Sequence, residues 1–339
     1  MCSSDLTTQP PPPRALLSLH GPDATKFLQA VCTINIPPLA TTTPPSAYTG
    51  FLNAQGRLLW EGFVYSVNGY KSWRERAGAV SIGAAGGTKW GVDDACWFIE
   101  TSGAGAAGLQ AWLGRYRLRS SLTIAPVPTV GDGGGWDVWA SWGRPLEEEE
   151  EVLVDVPRAN DDRAPGLFTR FLLPTTATAS GATTTTTTLG DYHLRRYLHG
   201  VAESPPELTP PDRCLPHEYN LDLYPPPHGI CFHKGCYVGQ ELTVRTQHRG
   251  VVRKRVVPVQ LSPLPHIPPT HGGIVYNHAL QIDLSPPPPG EAEIVSCHSR
   301  VHEGAPGRVR SAGRFIAGVG NVGIALVRLE SVFGQGWQK

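Results

Sequence analysis

The segment GICFHKGCYVGQELTVRTQHRGVVRKR, residues 229–255, combines a thiol, an imidazole and a run of basic side chains. Cys236 precedes a stretch in which Val238 and Leu242 share a helix face, so we expect Cys236 at or just before a helix N-terminus. Unpaired backbone N–H groups and the helix dipole favour the thiolate there, and Lys234 adds positive charge nearby. The segment predicts a thiolate suited to nucleophilic attack, or to ligation of a soft metal or an iron–sulfur cluster.

Other interpretations of the segment stay open. A lone cysteine is usually a small buried hydrophobe, and the basic run suits a solvated strand pair as well as an anionic ligand. Cys231, His233 and Cys236 form a C-x-H-x-x-C cluster, with Cys214 and His217 upstream. Zinc is an alternative at this cluster, although the spacing is not that of a zinc knuckle and no second pair completes four ligands.

Composition bounds the class of protein. The 339 residues include 29 Lys+Arg and 29 Asp+Glu, and this balance argues against a nucleic-acid binder. No apolar run approaches the roughly 18 residues of a membrane span. The seven cysteines, an odd number spread thinly, do not indicate a disulfide framework and favour a reducing compartment. The N-terminus shows no targeting signal, so either the protein has none or the sequence begins after its removal.

Hydrophobic periodicity predicts an α+β fold, because strands are mixed with isolated helices and no βαβ alternation is present. Predicted helices lie at 24–31, 109–116 and 190–199, and predicted strands at 16–19, 51–65 (with a turn), 97–100, 256–261, 292–297, 313–318 and 321–330. The short β runs after residue 251 indicate a small barrel or sandwich. Exposed loops are expected at the acidic run 147–151 and the Thr-rich run 175–188.

The stretch 234–241, Lys-Gly-Cys-Tyr-Val-Gly-Gln-Glu, matches the K-G-C-Y-x-G-Q-E signature of the YgfZ-type folate-binding family. These proteins are relatives of the folate-dependent aminomethyltransferase (T-protein) of the glycine cleavage system. Further elements that resemble the family lie at 21–29, 51–57, 115–119, 162–166, 215–222 and 321–325. The continuation R-T-x-H-x-G-V-V-R-K-R is most similar to the mitochondrial iron–sulfur cluster assembly branch, and the Pro, Thr and Gly insertions are typical of a fungal member.

The resemblance implies a three-lobed, T-protein-like α+β fold around a central pocket, with a C-terminal β-barrel. Residues 14–60 plus 160–250 would form the folate-binding-like domain, which carries the motif. Residues 61–159 would form a second α+β domain, and residues 251–339 the barrel.

The implied function is assistance in the maturation of [4Fe–4S] proteins, namely aconitase-type and radical-SAM enzymes, in the mitochondrial matrix. The implied partners are A-type iron–sulfur carrier proteins and the client apoproteins, and we expect a monomer when the protein is alone. Cys236 would be the ligand or transfer thiolate for a cluster shared with such a carrier. Supporting motif residues are Lys234, Gly235, Tyr237, Gly239, Gln240, Glu241 and Arg245, with Lys234 and Arg245 keeping the thiolate ionised. Whether Cys231 or His233 assists is left open.

Tetrahydrofolate is the implied cofactor, with Asn53, Arg57, Glu218 and Asp222 as its binding residues. An alternative function is a folate-dependent aminomethyl or one-carbon transferase. The family's transferase branch carries two adjacent acids where this chain has Trp60 and Glu61. Because a single carboxylate cannot divide charged and protonated roles as a pair does, assembly is the preferred function. A scaffold with an empty pocket is the third hypothesis.

Overall fold

The computed structural model describes residues 6–9, 14–41, 43–70, 90, 94–128, 136–142, 156–174, 184–186, 188–203, 207–208, 214–263, 273–280, 282, 293–295 and 311–333. The strands in this part of the chain are β1 Leu6–Gln9, β2 Arg14–His20, β3 Ser46–Leu52, β4 Leu58–Ser66, β5 Cys96–Ser102, β6 Thr123–Pro126, β7 Trp136–Trp142, β8 Arg158–Asp161, β9 Phe168–Pro174, β10 Thr184–Thr186, β11 Lys254–Gln260, β12 Glu293–Val295, β13 Ser311–Val319 and β14 Val322–Arg328. The helices are α1 Ala24–Val31, α2 Gly103–Arg117, α3 Leu189–Leu198, α4 Gln240–Arg249 and α5 Leu329–Phe333, with a 3-10 helix at Pro37–Thr41. Mostly antiparallel sheets with separate helices confirm the α+β class.

A five-stranded antiparallel sheet, in the order β3-β4-β5-β2-β6, supports the segment that carries the motif. Helices α1 and α2 pack on one of its faces. Phe27 and Leu28 of α1 and Leu109 and Trp112 of α2 share a buried cluster with Phe51 of β3. The apolar faces that periodicity predicts for these two helices are therefore the faces that the sheet covers.

A second five-stranded sheet, in the order β10-β1-β7-β9-β8, packs against the opposite face of the first. Phe98 of β5 meets Trp136 of β7 edge to face, with ring centroids 6.1 Å apart. Buried charged side chains lie between the two sheets beside these rings, and Arg170 of β9 stacks over Phe63 at 4.7 Å.

The C-terminal lobe contains the antiparallel sheet β11-β14-β13-β12. Helix α3 packs on this sheet, with Tyr197 in the same buried cluster as Val256, Ile324 and Leu326. The segment 190–199 is thus helical as predicted, and the predicted runs 256–261, 313–318 and 321–330 form strands, although the last one ends at Arg328, where helix α5 follows.

Two sequence predictions differ from the structure. The exposed loop expected over 175–188 is wrong at its end, where Thr184–Thr186 forms β10 and pairs in parallel with β1. The helix expected close to Cys236 begins later, at Gln240. The predicted domain boundary between residues 60 and 61 falls within β4, and the domain division itself stays a prediction. The acidic run 147–151 lies outside the described residues.

None of the described helices combines the length and the apolar character that crossing a membrane requires.

Candidate functional site

The motif cysteine lies on an irregular segment, the motif loop (residues 229–239), that runs along the end of α1. Two backbone hydrogen bonds fix it there. The N–H of Cys231 donates to the carbonyl of Thr33 at 2.9 Å, and the N–H of Val238 donates to the carbonyl of Ala30 at 3.0 Å. The loop is therefore attached to the first sheet and its helix at both ends.

The buried side chain of Lys234 anchors the middle of the motif loop. Its ammonium group donates to the carbonyl oxygens of Gln29 at 2.6 Å, Cys32 at 2.8 Å and Ile34 at 2.6 Å. These three bonds satisfy every donor of the ammonium and place a positive charge at the C-terminal end of α1, where carbonyls lack helical partners. Burial lowers the pKa of Lys234, and Cys32 and Cys231 oppose that effect.

The observed hydrogen-bond partners of Lys234 therefore differ from the partner that the sequence predicted. The prediction assigned it to the ionisation of the Cys236 thiol, whereas its donors are all used on backbone carbonyls of residues 29–34. Its ammonium also lies 5.0 Å from the centroid of the Tyr237 ring. Lys234 is a structural anchor of the loop.

Cys236 is exposed, as a ligand shared with another protein has to be. The described cysteines are Cys32, Cys96 and Cys214, which are buried, Cys231, which is half-buried, and Cys236. The neighbouring residues His233 and Gly235 are exposed as well. A Cβ added at Gly235 would meet no atom within 4 Å, so the space beside this glycine is open.

The helix after the motif begins at Gln240, with Gly239 as its N-cap residue in the left-handed conformation, φ 80°. Cys236 is four residues before this start. The dipole effect on ionisation acts over the first turn of a helix, so the structure gives Cys236 less of it than the sequence pattern indicated. The reason is local, because a left-handed glycine interrupts the run in which Val238 and Leu242 would share a face.

A tight turn of the first sheet packs directly against this glycine. Asn53 and Gly56 bound the turn between β3 and β4, and the Asn53 Oδ1 accepts the N–H of Arg57 at 2.9 Å. A Cβ at Gly239 would lie 2.5 Å from the carbonyl oxygen of Asn53, and one at Gly56 would lie 2.6 Å from Leu242 Cβ. The structure therefore brings the predicted folate residues Asn53 and Arg57 to the end of the motif loop, and both glycines are required by close backbone approach.

Tyr237 stabilises the start of α4 through its hydroxyl group. Its hydroxyl lies 2.8 Å from Thr243 Oγ1, which itself donates to the carbonyl of Gln240 at 2.8 Å. Burial raises the pKa of Tyr237 to about 12. The tyrosine is thus a neutral structural group beneath the exposed cysteine.

The exposed face of α4 carries the other motif residues. Gln240, Glu241 and Arg245 line a groove of about 610 Å³ together with His248 and Arg249. Glu241 lies in the first helical turn and the basic residues lie toward the last, so each charge complements the helix dipole. Arg245 is exposed on this face, and its effect on the ionisation of Cys236 stays a prediction.

Glu218 and Asp222, the two acidic folate candidates, face the C-terminal lobe. Arg255 of β11 donates to both oxygens of Asp222, at 2.9 and 2.8 Å. A Glu218 oxygen lies 3.9 Å from Lys254 Nζ, and its other oxygen accepts the N–H of Leu215 at 3.3 Å. The two acids hold the first strand of the C-terminal sheet to the body of the protein.

The zinc alternative finds no support in the geometry. Within the described ranges no group of three or more His, Cys, Asp or Glu side chains is close enough to hold a metal ion. Cys214 is buried, burial raises the pKa of its thiol, and its Sγ lies 3.6 Å from the Tyr219 hydroxyl.

A buried ionic network between the two five-stranded sheets is a feature that sequence reasoning missed. Glu100 accepts from Arg14 at 2.8 Å and from Arg170 at 2.7 Å, and Glu203 accepts from Arg163 at 2.5 Å and from Arg170 at 2.6 Å. Burial alone would raise the pKa of Glu203, but the surrounding arginines outweigh it and hold that pKa well below its ordinary value. The sequence signal was isolated charges inside apolar strands, such as Glu100 and Arg170.

Glu61 belongs to the same network. It is fully buried, and its Oε1 lies 3.4 Å from Arg14 NH1. Trp60, the neighbour that stands in place of an acid, packs its ring on Trp112 and against Gly105 and Gly108 of α2. The one carboxylate that the transferase hypothesis retained therefore lies inside the protein, paired with an arginine.

Comparison with known proteins agrees with this architecture. Residues 253–336 match the family model described as CAF17, C-terminal beta-barrel domain. The structure is similar to the crystal structure of glycine cleavage system aminomethyltransferase T from Bartonella henselae, with a TM-score of 0.58, 11% identity, and coverage of 97% of this chain and 80% of that one. That likeness confirms the T-protein-like fold.

Curated relatives extend over nearly the whole chain. The iron-sulfur cluster assembly factor IBA57 homolog, mitochondrial, of Coccidioides immitis (strain RS) is 37% identical over 95% of this chain and 73% of its own length. The protein of the same name from Neosartorya fischeri is 36% identical over 94% of this chain and 69% of its own length. Identity at this level over nearly the whole chain establishes kinship, and the chain belongs to the family of mitochondrial iron–sulfur cluster assembly factors named IBA57.

Proposed function

We propose that this protein acts in the mitochondrial matrix as a carrier or adaptor in the assembly of [4Fe–4S] clusters, with Cys236 as its ligand to a cluster shared with an A-type carrier protein. Its clients would be apoproteins of the aconitase and radical-SAM types. The exposed thiol of Cys236, on a loop anchored from below, is the observation that carries the proposal.

The number of available ligands supports a shared cluster. A [4Fe–4S] cluster is commonly held by four thiolates. Cys236 is the one exposed cysteine in the described part of the chain, and no group of three potential ligands occurs there. The remaining thiolates would therefore come from the partner. Arg245 and the other basic residues on the exposed face of α4 would favour the anionic thiolate-ligated cluster.

The chain's rigidity around the thiol also suits this role. Lys234, Tyr237 and Gly239 fix the backbone on both sides of Cys236 without covering it. A preorganised ligand loses less conformational entropy when the second protein binds. Gly235 keeps the approach open.

Tetrahydrofolate belongs to the proposal as a ligand, with Asn53, Arg57, Glu218 and Asp222 as its residues. The fit is partial, because Asn53 Oδ1 is used inside its own turn and both Asp222 oxygens are used by Arg255. Glu218 is half-buried, and its Oε1 lies 3.9 Å from Lys254 Nζ, beyond hydrogen-bond distance, so this oxygen retains capacity to accept from a pterin. Equilibrium dialysis with tetrahydrofolate, wild type against Glu218→Gln, measures this part separately.

The transferase function has less support. Glu61 is buried and paired with Arg14, so it is not placed to contact a substrate. The likeness to the aminomethyltransferase, at 11% identity, concerns the fold alone.

The test is cluster assembly by the protein mixed with an iron-loaded A-type carrier and inorganic sulfide, followed by visible absorption. We expect Cys236→Ala to remove the cluster absorption of the mixed complex while the unfolding curve stays unchanged. Cys231→Ala, on the same loop but half-buried, is the matched control and should retain the absorption. A Cys236→Ala protein that assembles the shared cluster normally would refute the proposal.

A further inference from the structure

The end of α2 presents an apolar side chain that the fold does not use. Leu118 is 84% exposed, the largest exposed fraction among the large hydrophobic residues in the described part of the chain. A single exposed leucine is ordinary on a protein surface. Leu118 is unusual because its backbone is strained as well.

The backbone of Leu118 has φ 45° and ψ −111°. These angles are close to those of the first central position of a type II′ turn, which glycine dominates because a Cβ is crowded there. A residue held in such a conformation costs stability, and strain of this kind concentrates at functional sites. Neither burial nor backbone preference therefore explains a leucine at position 118.

Positive charge surrounds the exposed leucine. Arg115, Arg117 and Arg119 are exposed on either side of it, and Lys26 is exposed on the facing helix α1. Asp23 is the acidic residue that lines the adjacent cleft, and its Oδ2 accepts the N–H of Ser121 at 2.7 Å. This surface is complementary to an acidic one.

A cleft of about 390 Å³ connects this surface to the motif loop. Phe27, Val31, Tyr116 and Val238 line it, and Lys26 and Arg119 lie at its rim. Val238 is two residues from Cys236, so the two Cα atoms are at most about 7 Å apart. The motif loop, which carries the exposed thiol, therefore also forms part of the cleft wall through Val238.

We infer that Leu118, the cleft and the surrounding basic residues form the docking surface for the protein that shares the cluster, a partner with carboxylates around a small apolar depression. This inference rests on the proposed function and adds the chemistry of the partner's face. Leu118 fills the depression, the basic residues pair with the carboxylates, and the complex places a partner thiolate beside Cys236.

The experiment measures two quantities on each variant: the dissociation constant for the A-type carrier, by calorimetry, and cluster absorption at saturating carrier. We expect Leu118→Asp to raise the dissociation constant about tenfold or more, with cluster absorption recovered at saturation. Cys236→Ala should keep the affinity and lose the absorption. Val332→Asp, at an exposed apolar position of α5 in the C-terminal lobe, is the control and should change neither quantity.

The variant Leu118→Gly distinguishes an effect on carrier binding from an effect on folding stability. Because glycine accepts the strained conformation, we expect this variant to have a melting temperature about 1–3 °C higher and yet to bind the carrier more weakly.

Arg117→Glu should weaken binding most at low salt. Carrier affinity unchanged in Leu118→Asp and Leu118→Gly would overturn the inference, as would a Leu118-dependent dimer of this chain. Cluster absorption retained by Cys236→Ala at saturating carrier would overturn the proposed function instead.

Discussion

The ammonium group of Lys234 donates a hydrogen bond to the carbonyl oxygen of Cys32, its partner 202 positions away in the chain, at 2.8 Å. The same ammonium also binds the carbonyls of Gln29 and Ile34. One buried cation therefore closes the end of α1 and holds the motif loop, and this arrangement presents Cys236 outward.

Removal of that cation should loosen the loop and lower stability. For Lys234→Met, which keeps the apolar stem, we expect a loss of about 2–4 kcal/mol in the free energy of unfolding, because three buried carbonyls lose their charged donor. Urea unfolding measures it. Lys254→Met is the control, since the Lys254 side chain is 40% exposed and lies 3.9 Å from Glu218, and its effect should stay below about 1 kcal/mol. Equal effects of the two substitutions would contradict the anchoring role.

Substitution of the two motif glycines by alanine should have very different effects on stability. Gly239 has φ 80° and its Cβ would lie 2.5 Å from the Asn53 carbonyl oxygen, so Gly239→Ala should cost about 2 kcal/mol or more and displace Cys236. Gly235→Ala meets open space and should cost less than about 1 kcal/mol. Thermal unfolding and cluster absorption of both variants check this. If Gly235→Ala were the more damaging, the account of the loop would be wrong.

Much of this arrangement follows from local sequence, and the rest does not. The apolar positions Phe27 and Trp112 predict their helices. The position of Lys234 is not predictable from its neighbours, because its partners lie about two hundred residues earlier. The start of α4 was placed too early because periodicity does not reveal that Gly239 is left-handed.

The buried ionic network was also not predicted, because its members are far apart in the sequence. Its members Arg14, Glu100, Arg170 and Glu203 come from separate strands and a loop, and they meet only when two sheets pack face to face. Charges in apolar runs are visible in the sequence, but their pairing is a property of the tertiary fold.

The network should make the protein sensitive to acid. The arginines hold the pKa of Glu203 well below its ordinary value of 4.5, so its contribution to stability is complete above about pH 4.5 and is lost as the pH falls toward the lowered pKa. We expect the difference in melting temperature between the wild type and Glu203→Gln to be constant from pH 7 to about 5 and to shrink as the pH falls below that. Glu203→Gln should cost about 3–5 kcal/mol at pH 7 and should reduce the acid slope. A difference in melting temperature that is constant down to pH 3 would contradict the assignment.

Substitution of the two acidic residues that contact the C-terminal sheet should distinguish a structural role from a role in ligand binding. Asp222→Asn removes a bidentate partner of Arg255 and should cost about 1–3 kcal/mol. Glu218→Gln should change stability by less than about 1 kcal/mol, since its charged partner Lys254 is 3.9 Å away. Denaturant unfolding checks both values. In dialysis, we expect Glu218→Gln to weaken tetrahydrofolate binding. Unchanged binding in that variant would remove Glu218 from the folate site.

The central claim is that Cys236 and a partner protein hold one cluster together. Native mass spectrometry of the complex with an iron-loaded A-type carrier tests it most directly, because the mass reports both chains, the iron and the sulfide at once. We expect the wild-type complex to carry a cluster mass, and the Cys236→Ala complex to form without it. A cluster mass retained on the Cys236→Ala complex would contradict the account.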